Sequence, residues 1–217
     1  MKNPLIVVGI PSGPDWKADF ALSVVGLVAA ATRPLIGGGR IEMLRIHNTK
    51  GSILPKSREM LVKLAQKEGA THLLFVDSDQ TFPAYLLHQL LRHDKDIIAA
   101  NCVTKVIPAN PTARQFSETE FAGTLVDSRE KSGIEKVWRV GTGVMLIKMS
   151  VFDRIAQPWF PITWNESLQD YTGEDWNFCQ SCQEAGIDIW IDHDVSKQIG
   201  HIGVLTYDIS HQGDSNE

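Results

Sequence analysis

Cysteine is scarce in this sequence: Cys102, Cys179 and Cys182 are all there are in 217 residues. An odd, low number makes a poor disulfide framework and fits a reducing compartment. Cys179 and Cys182 form a lone C-x-x-C inside a helical pattern. A structural zinc site needs two more ligands at matching spacing, and none stands near, so the pair reads as small packing residues on one helix face. An excess of positive charge is also missing. The formal net charge is -5, which argues against a protein that coats nucleic acid, though not against an enzyme touching DNA through a local patch. No apolar run is long enough to span a bilayer. Residues 5–10 are too few for a signal-peptide core, and residues 20–31 follow Asp15, Lys17 and Asp19 and read as a buried helix. The expectation is a cytoplasmic protein. There is no internal repeat, and no low-complexity segment apart from the polar tail, residues 212–217.

What is present is an ordinary globular composition, 43% hydrophobic and 22% charged, which excludes wholesale disorder. The length suits one well-buried domain over residues 1–211, with a first half, 1–100, and a second half, 101–211. The first half alternates strand and helix. Residues 5–10 are a continuous apolar run, as expected of a strand buried on both faces. Pro11-Ser12-Gly13-Pro14 breaks it, and a helix follows over 15–31. Strands are expected at 41–46, 72–76 and 96–100. A helix is expected over 55–68, with Pro55 in its first turn and Gly69 as its stop, and another starting at Pro83. This order predicts an α/β fold: a Rossmann-like, mostly parallel sheet with helices on both faces and ligands beyond the carboxyl ends of the strands. Pro11-Ser12, His47-Asn48 and Asp77-Ser78-Asp79 would share that edge.

The second half reads differently. Residues 101–120 are irregular, and strands are expected at 121–127, 134–140, 143–149 and 187–191. Residues 156–170 read as a proline- and tryptophan-rich loop, residues 173–186 as a helix, and the stretch up to His201 as a loop.

Phe75-Val76-Asp77-Ser78-Asp79 carries the strongest chemical signal. Two carboxylates two residues apart in extended chain point to one side, and hard oxygen ligands suit Mg²⁺ or Mn²⁺, which bridge phosphates. The segment from Thr71 to Asp79, followed by Phe82-Pro83, resembles the D-x-D region of nucleotide-sugar glycosyltransferases with the GT-A fold. Gly141-Thr142-Gly143 with the apolar run after it, then Gly173-Glu174-Asp175, then Asp192 and His201, follow in the same order. The likeness covers nearly the whole chain and is similar in particular to small phage and bacterial members of the glycosyltransferase-2-like group.

The resemblance implies roles. Asp77 would lie near the ribose or the metal, Asp79 would ligate the metal, and His201 would complete the set, with His193 a weaker candidate. Glu174-Asp175 resembles the acidic pair in which one carboxylate accepts the acceptor's proton, since a sugar hydroxyl is a poor nucleophile without a base. Asp175 is preferred, and the choice between the two stays open, as does inverting against retaining chemistry. Arg58, near the start of the second long helix, would reach the nucleotide or its diphosphate. Ile10, Pro11, Ser12, Asn48 and Ser78 would line the nucleotide site. The family often carries an aspartate after strand two, where this chain has His47-Asn48, which leaves preference for a UDP-sugar open. Gly141, Thr142 and Gly143 would let backbone approach the sugar; they do not form a dinucleotide fingerprint.

Lys105 and Arg114 flank the loop after strand four and are the other basic groups placed to meet phosphates, of donor or acceptor, with Lys105 expected on the donor. Trp159 and Trp164 are candidates for acceptor contact, against a packing role. The acceptor hydroxyl would lie on a glycan or on a hydroxymethylated DNA base. A nucleotidyltransferase would place a basic, glycine-rich loop after strand one, and no basic residue comes there before Lys17. A sugar-nucleotide-binding module without catalysis is the non-enzymatic alternative.

Overall fold

The computed structural model describes residues 3–203; the expected tail at 212–217 lies outside them. In chain order the first half holds β1 (Leu5–Ser12), α1 (Ala18–Ala31), β2 (Met43–Lys50), α2 (Leu54–Lys67), β3 (His72–Val76), β4 (Gln80–Thr81), α3 (Leu86–Leu91) and β5 (Ile97–Ala99). The second half holds β6 (Arg114–Gln115), β7 (Thr124–Leu125), β8 (Ile134–Val137), β9 (Val144–Lys148), β10 (Thr163–Asn165), β11 (Asp170–Thr172), α4 (Glu174–Glu184), β12 (Ile189–Asp192), α5 (His193–Ser196) and β13 (Gly200–His201).

Seven strands make one sheet in the order β2-β1-β3-β9-β5-β12-β8. Five of them, β2, β1, β3, β5 and β12, run one way, while β9 and β8 run against them. The expected α/β fold is present, with both halves contributing strands to the same sheet. Alternation along the strands builds two cores, because successive side chains point to opposite faces. Val7, Leu73, Phe75, Met145 and Ile147 pack on α2 and α4 through Leu61, Ala65, Phe178 and Cys182. Ile6, Val8, Leu74, Val144 and Leu146 pack on α1 and α3 through Phe20, Val24, Leu86 and Leu90. Leu74 and Phe75 are both fully buried, so truncating either to alanine costs about 2–5 kcal/mol. Cys179 and Cys182 are packed in the first of these cores, as their helical spacing suggested.

Helix α2 begins with Pro55 in its first turn and stops before Gly69, whose φ of +68° is the left-handed conformation that closes a helix. The other boundaries move for local reasons. β2 is longer than its apolar run because it pairs with β1 through Ile10↔Asn48 to Ser12↔Lys50. His47 and Asn48 therefore sit within a strand and not on the loop after it. Residues 83–85 are not helical: β4 pairs with β13, which holds the chain extended, and one turn closed by Leu86 N–H on the Pro83 carbonyl precedes α3. Only Thr124–Leu125 of the expected strand at 121–127 pairs, because Gly123 turns the chain hard against β6. A Cβ at Gly123 would lie 2.3 Å from the Gln115 carbonyl oxygen. The expected loop at 156–170 contains β10, which forms a hairpin with β11.

The reversed strand matters most for the site. β9 runs antiparallel between β3 and β5, so its start meets the edge where β1, β3 and β5 end.

Candidate functional site

The edge of the sheet gathers two linked clusters of charge. The first is centred on Arg58, which is 1% exposed despite its charge. Its Nη2 donates to both carboxylate oxygens of Asp77, at 3.0 and 3.3 Å, and its Nε donates to Glu174 Oε1 at 3.4 Å. The guanidinium also lies over the Phe75 ring, 5.3 Å from its centroid. Three elements thus meet at one side chain: α2 supplies the cation, and the end of β3 and the start of α4 supply the anions. Removing one member of such a buried set leaves uncompensated charge, at about 3–5 kcal/mol. Arg58 Nη1 has no partner, and neither do the buried polar atoms Gln80 Oε1, Thr112 Oγ1 and Thr142 Oγ1. Buried groups of this kind are ordinarily satisfied, so the site has spare capacity for a polar ligand.

Gly143 faces this capacity. Its carbonyl accepts from the Asp77 N–H at 2.8 Å. A Cβ built on it would lie 3.4 Å from Gln80 Nε2 and 3.6 Å from Asp77 Oδ2, while one on Gly141 would lie 3.3 Å from Thr112 Cβ. Both glycines are buried, so a side chain at either would press on these neighbours.

The second cluster is centred on Asp79. Lys105 Nζ bonds Asp79 Oδ2, and His201 Nε2 stands 3.5 Å from Asp79 Oδ1. His201 is delivered by the pairing of β13 with β4 and by the Ile202 N–H donating to the Asp79 carbonyl at 2.7 Å. Its Nδ1 lies 2.6 Å from the Val103 carbonyl oxygen. A carbonyl only accepts, so Nδ1 carries a proton and Nε2 is the ring atom that faces Asp79. A histidine that donates its far nitrogen to a backbone carbonyl is the usual second-shell arrangement of a metal ligand. Asp79 and His201 therefore fit a divalent ion that takes its other ligands from water and phosphate, as Mg²⁺ and Mn²⁺ do. Asp77 is turned to Arg58, and no group of three or more His, Cys, Asp and Glu converges as a metal site among the described residues.

Asp175 differs from every other carboxylate here. It sits in the first turn of α4, where the helix dipole ordinarily lowers an acid's pKa. Burial overrides this, and the like charge of Glu174 adds to burial, so its pKa rises to about 6. Among the described residues its one hydrogen bond is from the Trp176 N–H to Oδ1, at 2.8 Å, and it has no cationic partner in ion-pair contact. Burial also raises the pKa of Asp77, with Arg58 opposing. Glu174 is committed to Arg58. The open choice between Glu174 and Asp175 narrows accordingly: Asp175 is the free carboxylate, near neutrality.

Other expected residues lie less favourably. Ile10 is 0% exposed and belongs to the core, so its side chain cannot wall a nucleotide. Pro11 and Ser12 are buried, and Asn48 spends its amide nitrogen on the Ile10 carbonyl and Ser12 Oγ. That trio fastens β1 to β2, and only its exposed edge remains for a ligand. His193 has both ring nitrogens engaged, by Ser128 and Glu135, and Asp192 caps α5 and meets His93. Trp159 is core, packed on Phe152, whereas Trp164 is exposed and pairs with Tyr171 across the β10–β11 hairpin.

Sequence reasoning missed Arg139. It stacks on Trp138 and Trp176 with ring centroids 3.6 and 4.6 Å from its guanidinium carbon. Arg114 lies beside it because the two residues form an antiparallel backbone bridge. The only signal was the Trp138-Arg139 dipeptide, which says nothing of Trp176.

No protein-family model matches the chain, and no curated protein matches it. Among solved structures, the chain is similar to A197 from STIV at a TM-score of 0.55 and 12% identity, over 96% of this chain and 100% of that one. That likeness is one of fold: a mixed α/β chain built on the same scale.

Proposed function

We propose that the protein is a metal-dependent glycosyltransferase of the GT-A fold, moving a sugar from a nucleotide-diphosphate donor to an acceptor hydroxyl. The observation that carries this reading is the bridge made by Arg58. It ties Asp77, two residues from the Asp79–His201 pair, to Glu174, next to the unpaired Asp175. A cation site for a diphosphate and a base of near-neutral pKa are thereby held in fixed relation on one sheet edge. The bound ion would neutralise charge developing on the diphosphate leaving group.

The chain's own residues do the rest. Lys105, already on Asp79, is placed to shift its ammonium onto a phosphate. Arg58 Nη1 supplies a fixed donor beside Asp77 and Glu174. Asp175, ionised above about pH 6, accepts the proton of the acceptor hydroxyl as that oxygen attacks the anomeric carbon. A general base of this pKa contributes about 10²–10⁴-fold.

The test is a screen of nucleotide-sugars with Mn²⁺, read by thermal shift and by donor hydrolysis. Stabilisation by at least one nucleotide-sugar, dependent on the metal and lost in Asp79→Ala, is the expected result. Stabilisation by ATP or NAD and by no nucleotide-sugar overturns the reading.

A further inference from the structure

Arg139 is a strongly buried cation of the second half that no carboxylate contacts among the described residues. It is 6% exposed, and its guanidinium is boxed by Trp138, Trp176 and Phe121, the last at 5.7 Å. Nε and Nη1 have no hydrogen-bond partner, and no carboxylate is in ion-pair contact with it among the described residues. Burial holds its pKa below the usual arginine value. Arg114 worsens the imbalance: its guanidinium lies 5.8 Å from the Trp176 ring centroid and bonds only the Gly123 carbonyl. Aromatic faces attract a guanidinium, at about 0.5–2 kcal/mol each. They do not offset the several kcal/mol lost when an ion leaves water without a partner. A site kept this way is complete only when an anion arrives from outside.

Arg139 opens on a cleft of about 670 Å³ between α4, the β10–β11 hairpin and Trp138, within the range of small-ligand sites. Thr163, Asn165, Thr172 and Gln180 line it. Hydroxyl and carboxamide groups both donate and accept, as sugar hydroxyls do, and the faces of Phe121 and Trp138 suit the apolar face of a sugar ring. Glu184, the one carboxylate of the lining, stands on the last turn of α4 and is held by Gln180. The cleft runs along α4 past Asn177, Gln180, Gln183 and Glu184, and Asp175, two residues before Asn177, is near enough for its charge to act on Arg139.

We propose that this cleft binds the acceptor, and that the acceptor is an anionic sugar whose carboxylate or phosphate is seated against Arg139. Calling the ligand an acceptor rests on the transferase reading; the binding of an anionic sugar does not. The guanidinium meets the anion, Asn165 and Gln180 meet the hydroxyls, and the sugar chain points its reacting hydroxyl toward Asp175.

The test titrates the intact protein with methyl glucuronide, glucose 6-phosphate and methyl glucoside, following tryptophan fluorescence. The expected result is that at least one anionic sugar binds about tenfold or more tightly than the neutral glycoside. Which of the two does so identifies carboxylate or phosphate as the anion. Arg139→Gln abolishes that preference, and Arg139→Lys keeps part of it. Salt gives a second reading that needs no variant. Raising NaCl from about 50 to about 500 mM weakens the anionic sugar and leaves the neutral one unchanged. Equal binding of all three sugars, no binding of any, or a preference that survives both Arg139→Gln and high salt overturns the inference. Donor binding is measured separately by thermal shift with nucleotide-sugars. Anionic-sugar binding without donor binding leaves the cleft standing and removes the transferase reading; the converse result does the opposite.

Discussion

The two sides of the candidate site handle charge in opposite ways. At the sheet edge, Asp77 and Glu174 share Arg58, and Asp79 has Lys105 and His201. In the cleft along α4, Arg139 stands among aromatic rings with no carboxylate in ion-pair contact among the described residues. A paired cluster is pre-organised: its groups hold one another in place before any ligand arrives, and a ligand has to take over bonds that already exist. An unpaired buried cation is the reverse, a local instability that a ligand relieves. The contrast separates a side built to orient charge from a side built to select it. Asp175 lies between them and has neither kind of partner.

The largest effects should come from Asp175, between the two sides, and then from breaking the paired side. Asp175→Asn should lower kcat by about 10²–10⁴-fold, with the thermal midpoint unchanged or raised, because a neutral amide suits a site that burial already makes hostile to charge. Steady-state rates and a melting curve on the same sample check both parts. A loss of rate that merely tracks unfolding would remove Asp175 from the chemistry. Arg58→Met should cost about 3–5 kcal/mol in denaturant unfolding, since Asp77 and Glu174 are both left without their cation. Adding Asp77→Asn to Arg58→Met should recover part of that loss. A simple sum of the two single losses would mean that the bridge is no bridge.

Smaller effects follow from protonation. Burial, with help from Lys148, holds the His72 pKa down to about 4. A histidine whose folded pKa is depressed favours the folded state above its unfolded value of 6.5, and this stability drains away as pH falls from there toward 4. The bound is about 3 kcal/mol. His72→Gln should flatten that slope in urea melts taken between pH 4 and 7. Asp175 acts in the other direction: its raised pKa favours folding below the unfolded value of 3.8, an advantage lost as pH rises through about 6. The smallest expected effect is on the rate profile. Activity should rise with pH through about 6 as Asp175 ionises, and Glu174→Gln, which removes the like charge, should move that limb to lower pH. A limb that stays fixed would take Glu174 out of the tuning of Asp175.

Much of the sheet side could be read from sequence. The run His72–Val76 with Asp77 and Asp79 after it, Pro55 and Gly69 around α2, and the acidic start of α4 all follow from local rules that the structure obeys. The direction of β9 could not be read, because apolar residues at 144–148 look the same whichever way the strand enters. Nor could the partner of Arg58. Asp77 and Glu174 are 19 and 116 residues away from it in sequence, and only the sheet order brings them together. The expectation that Ile10 faces a nucleotide failed for a related reason. Period-two alternation places it on one face, but which face carries α1 and α3 is a matter of topology. Arg139 was hardest of all, since its neighbours Trp138, Trp176 and Phe121 come from three separate stretches of chain.

The reversed β9 has a consequence for how such a protein can be altered. β5 ends at the same edge where β9 begins, so the chain between them leaves the sheet and returns to it on one side. That excursion contains Lys105, Arg114, Trp138 and Arg139, while Asp77, Asp79, Arg58 and Asp175 all lie outside it. Its one strand in the seven-stranded sheet is β8, on the outermost position next to β12, and Ala113, Val126, Val137 and Val140 fasten it to the core. What is recognised can therefore change at the exposed positions of residues 101–142 while Asp77, Asp79, Arg58 and Asp175 stay where they are, as long as those four buried positions keep their packing.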